Sequence, residues 1–305
     1  MKFTKLTSSV LAGATMLSIL APTASFAATS TAGSKDATTN DNGGTALPQT
    51  DKTVAGISFG DNSDNGNTGY LRLQMVPHTL DFGNHKILDD TKLDFTADGK
   101  NTALPTNNLK ASYEGGKTNE TAVLNTQDDG LKAVNGTAWA TVVDKQVTRV
   151  ASATTPFHEG TTDQAGSWKL SVKSDDALTA MNNADPSEKT DEVIEGAKLS
   201  FANTQYGQTQ KVYELTKDTQ DSNYDASKGT PKEVSASGIT TNFSTPLAAD
   251  GADIQVASAA DGEGQGANVF GWAPKDIKLT MPAGANVTNA IYKANLTWTL
   301  TSDVA

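Results

Sequence analysis

Residues 291–300 read IYKANLTWTL, and no other stretch constrains the fold as tightly. Tyr292, Ala294, Leu296, Trp298 and Leu300 fall at every second position, with Lys293, Asn295, Thr297 and Thr299 between them. A period of two sends alternate side chains to opposite faces, so the stretch reads as a β-strand with one buried and one wet side. A second stretch shares its ending. Residues 167–173 read SWKLSVK, with Trp168, Leu170 and Val172 on one face and Lys169, Ser171 and Lys173 on the other. Trp-x-Leu therefore occurs twice, at Trp168–Leu170 and Trp298–Leu300, each time followed by Ser or Thr.

The chain from about residue 55 onward continues in the same idiom. Residues 70–76 alternate, with Leu71, Leu73 and Met75 expected on one face. Further strands are expected at 137–143, 146–151, 166–173, 197–201, 211–215, 254–257 and 276–281. Asp98-Gly99, Asp129-Gly130, Asn135-Gly136, Asp250-Gly251 and Asp261-Gly262 supply turn signals between them. The expected fold is all-β: an antiparallel β-sandwich or barrel-like single domain with long loops at 218–232 and 257–266. Helix is expected in less than about a tenth of the chain, with one short acidic helix over 187–196.

The amino end reads as an export leader. Lys2 and Lys5 precede an apolar run at 10–21 that is short for a membrane span, and Ser25-Phe26-Ala27 places small residues at a cleavage site. The expected organisation is a signal peptide at 1–27, a flexible lead-in rich in Thr, Ser and Asn at 28–54, and a β domain at 55–305. Once the leader is cleaved, no membrane span is expected. The chain has no cysteine, so it has neither disulfides nor a lipid-attachment thiol, and burial alone must hold an exported fold together. Leu47-Pro48-Gln49-Thr50-Asp51 imitates a sortase signal but ends in Asp and has no apolar tail behind it. Residues 301–305 carry no sorting tail either, so non-covalent attachment is expected.

The formal net charge is −11, and loss of the two leader lysines makes the remainder more negative. Such a field disfavours nucleic acid as a partner and disfavours bulk attraction to an anionic wall polymer. Local contacts have to carry any wall binding.

Catalytic and metal signatures do not assemble. His158-Glu159 opens like a zinc-protease motif, but Thr162 stands where its second histidine belongs. His78 and His85 have no ligand spacing. The run starting at Asp61, Ser63 and Asn65 has the rhythm of a calcium loop, but Arg72 takes the position of its closing Glu. Gly262, Gly264 and Gly266 lie in a polar loop without a strand-to-helix pattern and read as flexible. Asp185, Glu188, Asp191, Glu192 and Glu195 read as a solvated acidic face. No enzyme activity, cofactor or metal is expected.

The paired Trp-x-Leu motifs resemble the WxL domain, a cell-surface module of Gram-positive bacteria. Its members carry one such motif mid-domain and a second near the carboxyl end, preceded by a Tyr and an apolar strand, as Tyr292 and Leu296 stand here. Val76-Pro77 and Leu80-Asp81-Phe82-Gly83 are similar to the family's opening segment. The resemblance implies a secreted protein held non-covalently on the wall, with peptidoglycan as partner. It also leaves room for an interaction module that docks on a membrane-anchored companion or on host matrix.

Two roles are open for the motif residues Trp168, Leu170, Tyr292, Trp298 and Leu300. The indoles either weld two strands into a core or lie outside and stack on glycan rings. Their phase with aliphatic neighbours favours the core. Ligand contacts then fall to Lys169, Thr297 and Thr299. Trp272, beside Gly271 and a Gly-rich loop, is expected to be an exposed aromatic contact.

Overall fold

The computed structural model describes residues 70–83, 85, 93–98, 127–148, 166–185 and 187–302, together with the backbone of two short strands at 62–63 and 66–67. The leader, the lead-in, His158 and most of the calcium-like run lie outside the described residues.

In chain order the strands are β1 (Asn62–Ser63), β2 (Gly66–Asn67), β3 (Leu71–Met75), β4 (Asp94–Thr96), β5 (Ala138–Asp144) and β6 (Trp168–Ser174). They continue with β7 (Leu178–Met181), β8 (Lys189–Ile194), β9 (Lys198–Phe201), β10 (Gln205–Thr209) and β11 (Phe243–Pro246). The last are β12 (Ile254–Ala259), β13 (Gly266–Trp272), β14 (Ile277–Thr280), β15 (Tyr292–Lys293) and β16 (Leu296–Ser302). One α-helix, α1 (Val212–Thr216), and several single 3-10 turns lie between them.

Beyond the β1-β2 hairpin, four open sheets form, ordered β10-β13-β5-β3, β11-β9-β14-β4, β12-β6-β16 and β15-β7-β8. Every strand pairing is antiparallel. The described residues form an all-β, sandwich-like arrangement without a closed barrel. Helical turns account for 14% of them, more than expected, because the connection from β10 to β11 holds α1 and three 3-10 turns, and further 3-10 turns flank β5 and precede β14.

The first sheet is buried on both faces. Along β5, Ala138, Ala140 and Val142 enter the main core, while Trp139 and Val143 enter a second, smaller core with Leu131, Val134, Val212 and Leu215. Alternation survives there, but both faces are covered, so β5 and β13 are buried along their whole length and mostly apolar, with Thr141 and Asn268 among the buried polar residues. The other three sheets close over the main core.

Four local expectations are corrected. The stretch expected as a strand at 211–215 instead enters α1 (Val212–Thr216), with Lys211 as its N-cap, because Val212 and Leu215, three apart, both reach the smaller core. Residues 146–148 form a 3-10 turn instead of a strand start; the Asp144 carboxylate accepts from Gln146 N at 3.0 Å and turns the chain. The acidic stretch expected as a helix is the strand β8, paired with β7, where Thr190, Val193 and Ile194 suit a pleated surface. On β3, a register shift between Leu73 and Met75 rotates the strand, so Leu71 and Leu73 pack in the main core and Met75 in the other.

Candidate functional site

The two Trp-x-Leu motifs lie side by side. β6 runs through the middle of its sheet, between β12 and β16. Its register with β16 pairs Leu170 with Leu300, Val172 with Trp298, Ser171 with Thr299, Lys169 with Thr301 and Lys173 with Thr297. Directly paired residues share a face, so this register sorts the side chains into two sets.

The inner set is core. Trp168 is 1% exposed, Trp298 6%, and Leu170 and Val172 are fully buried. Trp298 lies 5.9 Å from Trp272 and 6.3 Å from Phe201, and Phe201 stacks on Phe243 at 4.8 Å. These edge-on and stacked contacts knit three sheets together. Trp272, expected outside, is 0% exposed and donates its indole N–H to Thr204 Oγ1 at 2.9 Å. Gly271 beside it marks a close approach, since a Cβ there would meet Thr137 Oγ1 at 2.3 Å.

The glycine run is also ordered, contrary to expectation. Gly262, Gly264 and Gly266 have φ values of 81°, 73° and 101°, so each supplies a left-handed turn. Gly264 lies against Trp168: a Cβ on it would stand 3.0 Å from the indole nitrogen. That Trp168 Nε1 is buried without a hydrogen-bond partner.

The stretch 291–300 is one pattern but two strands. β15 pairs with β7 and β16 with β6, and the chain jogs between them at Asn295. Asp176 holds the jog: its carboxylate accepts from Asn295 N at 2.7 Å and Asn295 Nδ2 at 2.9 Å, and pairs with Lys189. Tyr292 packs its ring on the main core and donates its hydroxyl to Glu192, while accepting from Thr288 N at 2.9 Å. The bond from Tyr292, with a second from Thr288 Oγ1, holds Glu192 below the usual carboxylate range. Burial raises the Tyr292 phenol, and its bond to the Glu192 carboxylate adds to that. Glu192 thus has a specific partner within the acidic stretch.

The outer set makes the candidate contact surface. Lys169, Ser171 and Lys173 alternate along β6, flanked by Thr301, Thr299 and Thr297 on β16 and by Ser258 and Gln255 on β12. Lys169, Thr297 and Thr299, selected from sequence as ligand contacts, all lie here; Trp272 does not. Lys169 is exposed, and neither it nor Lys173 forms an ion pair among the described residues. The face is hydroxyl-rich and locally cationic on an acidic protein; Lys169 and Thr301 are exposed on it, Lys173, Thr297 and Thr299 are half-buried, and Ser171 is buried.

Sequence reasoning missed a buried ionic cluster. Asp221, fully shielded, takes both terminal guanidinium nitrogens of Arg72 at 2.9 and 2.5 Å and Lys145 Nζ at 2.7 Å. Burial by itself would raise the Asp221 carboxyl. The Arg72 hydrogen bonds and charge, with Lys145 and Thr216, outweigh it and hold the group below its ordinary value. The cluster ties the loop at 218–232 to β3 and to the end of β5. No His, Cys, Asp or Glu group among the described residues has the arrangement of a metal centre.

Comparison with curated proteins and with solved structures finds no match. A family model described as "WxL domain surface cell wall-binding" matches residues 48–303, which covers both motif strands and every sheet described above. On that match, and with its two Trp-x-Leu strands paired in one sheet, the chain belongs to the WxL family of surface cell wall-binding domains.

Proposed function

We propose that this protein is secreted by a Gram-positive bacterium, loses its leader at 1–27, and is held on the wall non-covalently by the β domain at 55–305, with peptidoglycan as ligand. It binds and does not cleave. The observation that carries the reading is the division of labour in the β12-β6-β16 sheet. The motif tryptophans and leucines face the core, and among the described residues the opposite side of these strands presents Lys169, Lys173, Thr297 and Thr299, with Ser171 buried between them. Hydroxyls and ammonium groups along a sheet face suit a polar, extended polymer, and they do so without an aromatic platform.

The test is sedimentation of the purified mature protein with peptidoglycan sacculi stripped of teichoic acid. Binding to bare sacculi supports the proposal. Binding only when a companion protein is present contradicts it and favours docking on a membrane-anchored companion or host matrix. One observation speaks for that second reading: β16 ends its sheet and carries no further strand on its outer edge among the described residues, which suits strand addition by another chain.

A further inference from the structure

Resting on the wall-binding reading, we infer that Lys169 and Lys173 recognise the carboxylates of the peptide stems of peptidoglycan rather than its neutral glycan. The two lysines stand four positions apart on the same face of β6, so their attachment points are about 13 Å apart along the strand at roughly 3.3 Å per residue. That spacing fits two separate anions and not one chelated group. The chain is strongly acidic, and although other lysines such as Lys198 and Lys278 also form no ion pair among the described residues, Lys132, Lys145 and Lys189 are each engaged by an aspartate. Lys169 and Lys173 are not, although Asp175 and Asp261 lie at the ends of this face.

Each of those two acids already accepts a hydrogen bond at the edge of this face. Asp175 accepts from Thr297 Oγ1 at 2.7 Å, and Asp261 accepts from Ser167 N at 2.9 Å. Between the two lysines on this face stand Ser171, which is buried, its cross-strand neighbours Thr299 and Gln255, and Thr301. A carboxylate-bearing strand laid along β6 would meet two unpaired cations with donors between them, and charge complementarity sets its position. Sugar rings offer neither the charge nor the spacing that this row supplies.

The experiment uses the mature wild-type protein, the Lys169→Gln/Lys173→Gln double variant and the Lys169→Arg/Lys173→Arg double variant. Each is sedimented with teichoic-acid-free sacculi, either native or with their carboxyls converted to amides by carbodiimide. The expected result is about a tenfold loss of wild-type binding on amidated sacculi, and a similar loss for the Gln variant on native sacculi, where the Arg variant retains binding. Melting curves of all three proteins are expected to coincide, since these side chains pack against nothing in the core. Equal wild-type binding to native and amidated sacculi overturns the inference and leaves peptidoglycan binding intact. An amidation effect with full binding by the Gln variant overturns the assignment to these lysines. Failure of the wild type to bind native sacculi removes both this inference and the reading beneath it.

Discussion

Leu170 and Leu300 face each other across β6 and β16, so the last residues of two motifs far apart in sequence form one contact in the core. The pairing explains why the motif is doubled. Each copy supplies the inner face of one strand, and neither strand has a full hydrophobic partner without the other. β16 also carries Trp298 into the aromatic cluster of Trp272 and Phe201, which links this sheet to two others. The repeated tryptophans are therefore a device of assembly, and on the function proposed above the residues alternating with them meet the wall.

The Arg72–Asp221–Lys145 cluster predicts a strong, pH-dependent contribution to stability. Asp221→Asn removes the carboxylate that the two buried cations share and is expected to cost about 3–5 kcal/mol at neutral pH. The folded-state carboxyl titrates below its ordinary value. Its contribution is thus fully present above the unfolded value of about 3.9 and is lost as pH falls through the lower folded value. Urea unfolding at pH 7 and at successively lower pH below about 4 is expected to show the gap between wild type and variant narrowing. A gap that stays constant with pH contradicts this.

The glycine loop over Trp168 makes a paired prediction. Gly264 and Gly284 have nearly the same φ, 73° and 72°, but a Cβ on Gly264 meets the Trp168 indole whereas one on Gly284 meets no atom within 4 Å among the described residues. Gly284→Ala is expected to cost about 1–2 kcal/mol for the left-handed conformation alone. Gly264→Ala is expected to cost more and to change the Trp168 fluorescence. Equal losses from the two substitutions show that the loop yields freely and does not pack on the indole.

The sequence revealed β6 and β16 because each has one wet face, which keeps the alternation visible. It misled at Trp272 because β13 lies between two cores: Phe270 and Trp272 enter one, Ala267 and Val269 the other. Such a strand has no polar phase, and Gly271 then looks like a loop residue when it is a close approach to Thr137. The stretch at 211–215 was ambiguous for a different reason, since a short apolar run satisfies a strand and a helical turn equally well. Nothing local marked Asp221, whose partner Arg72 lies 149 positions away. Of the contact face, Lys169, Thr297 and Thr299 were legible as the polar phase of the motif strands, but their union on one surface needed the β6–β16 register.

Attachment by surface contacts alone predicts how the protein leaves the wall. Treatment of intact cells with high salt or a chaotrope is expected to release it at the mass of the mature chain, without muramidase digestion. Recovery only as a conjugate with muropeptide contradicts non-covalent binding.

The central claim is that the motif tryptophans serve the fold and that binding lies on the opposite face of the same strands. Trp298→Ala tests it most directly, with the melting temperature and sacculus binding measured on one preparation. Removal of this buried indole is expected to cost about 3–5 kcal/mol, a large part of a typical domain's 5–15 kcal/mol. The account predicts a much lower melting temperature, with binding falling only as the folded fraction falls. An unchanged melting temperature with abolished binding would contradict it and make the indole the ligand platform.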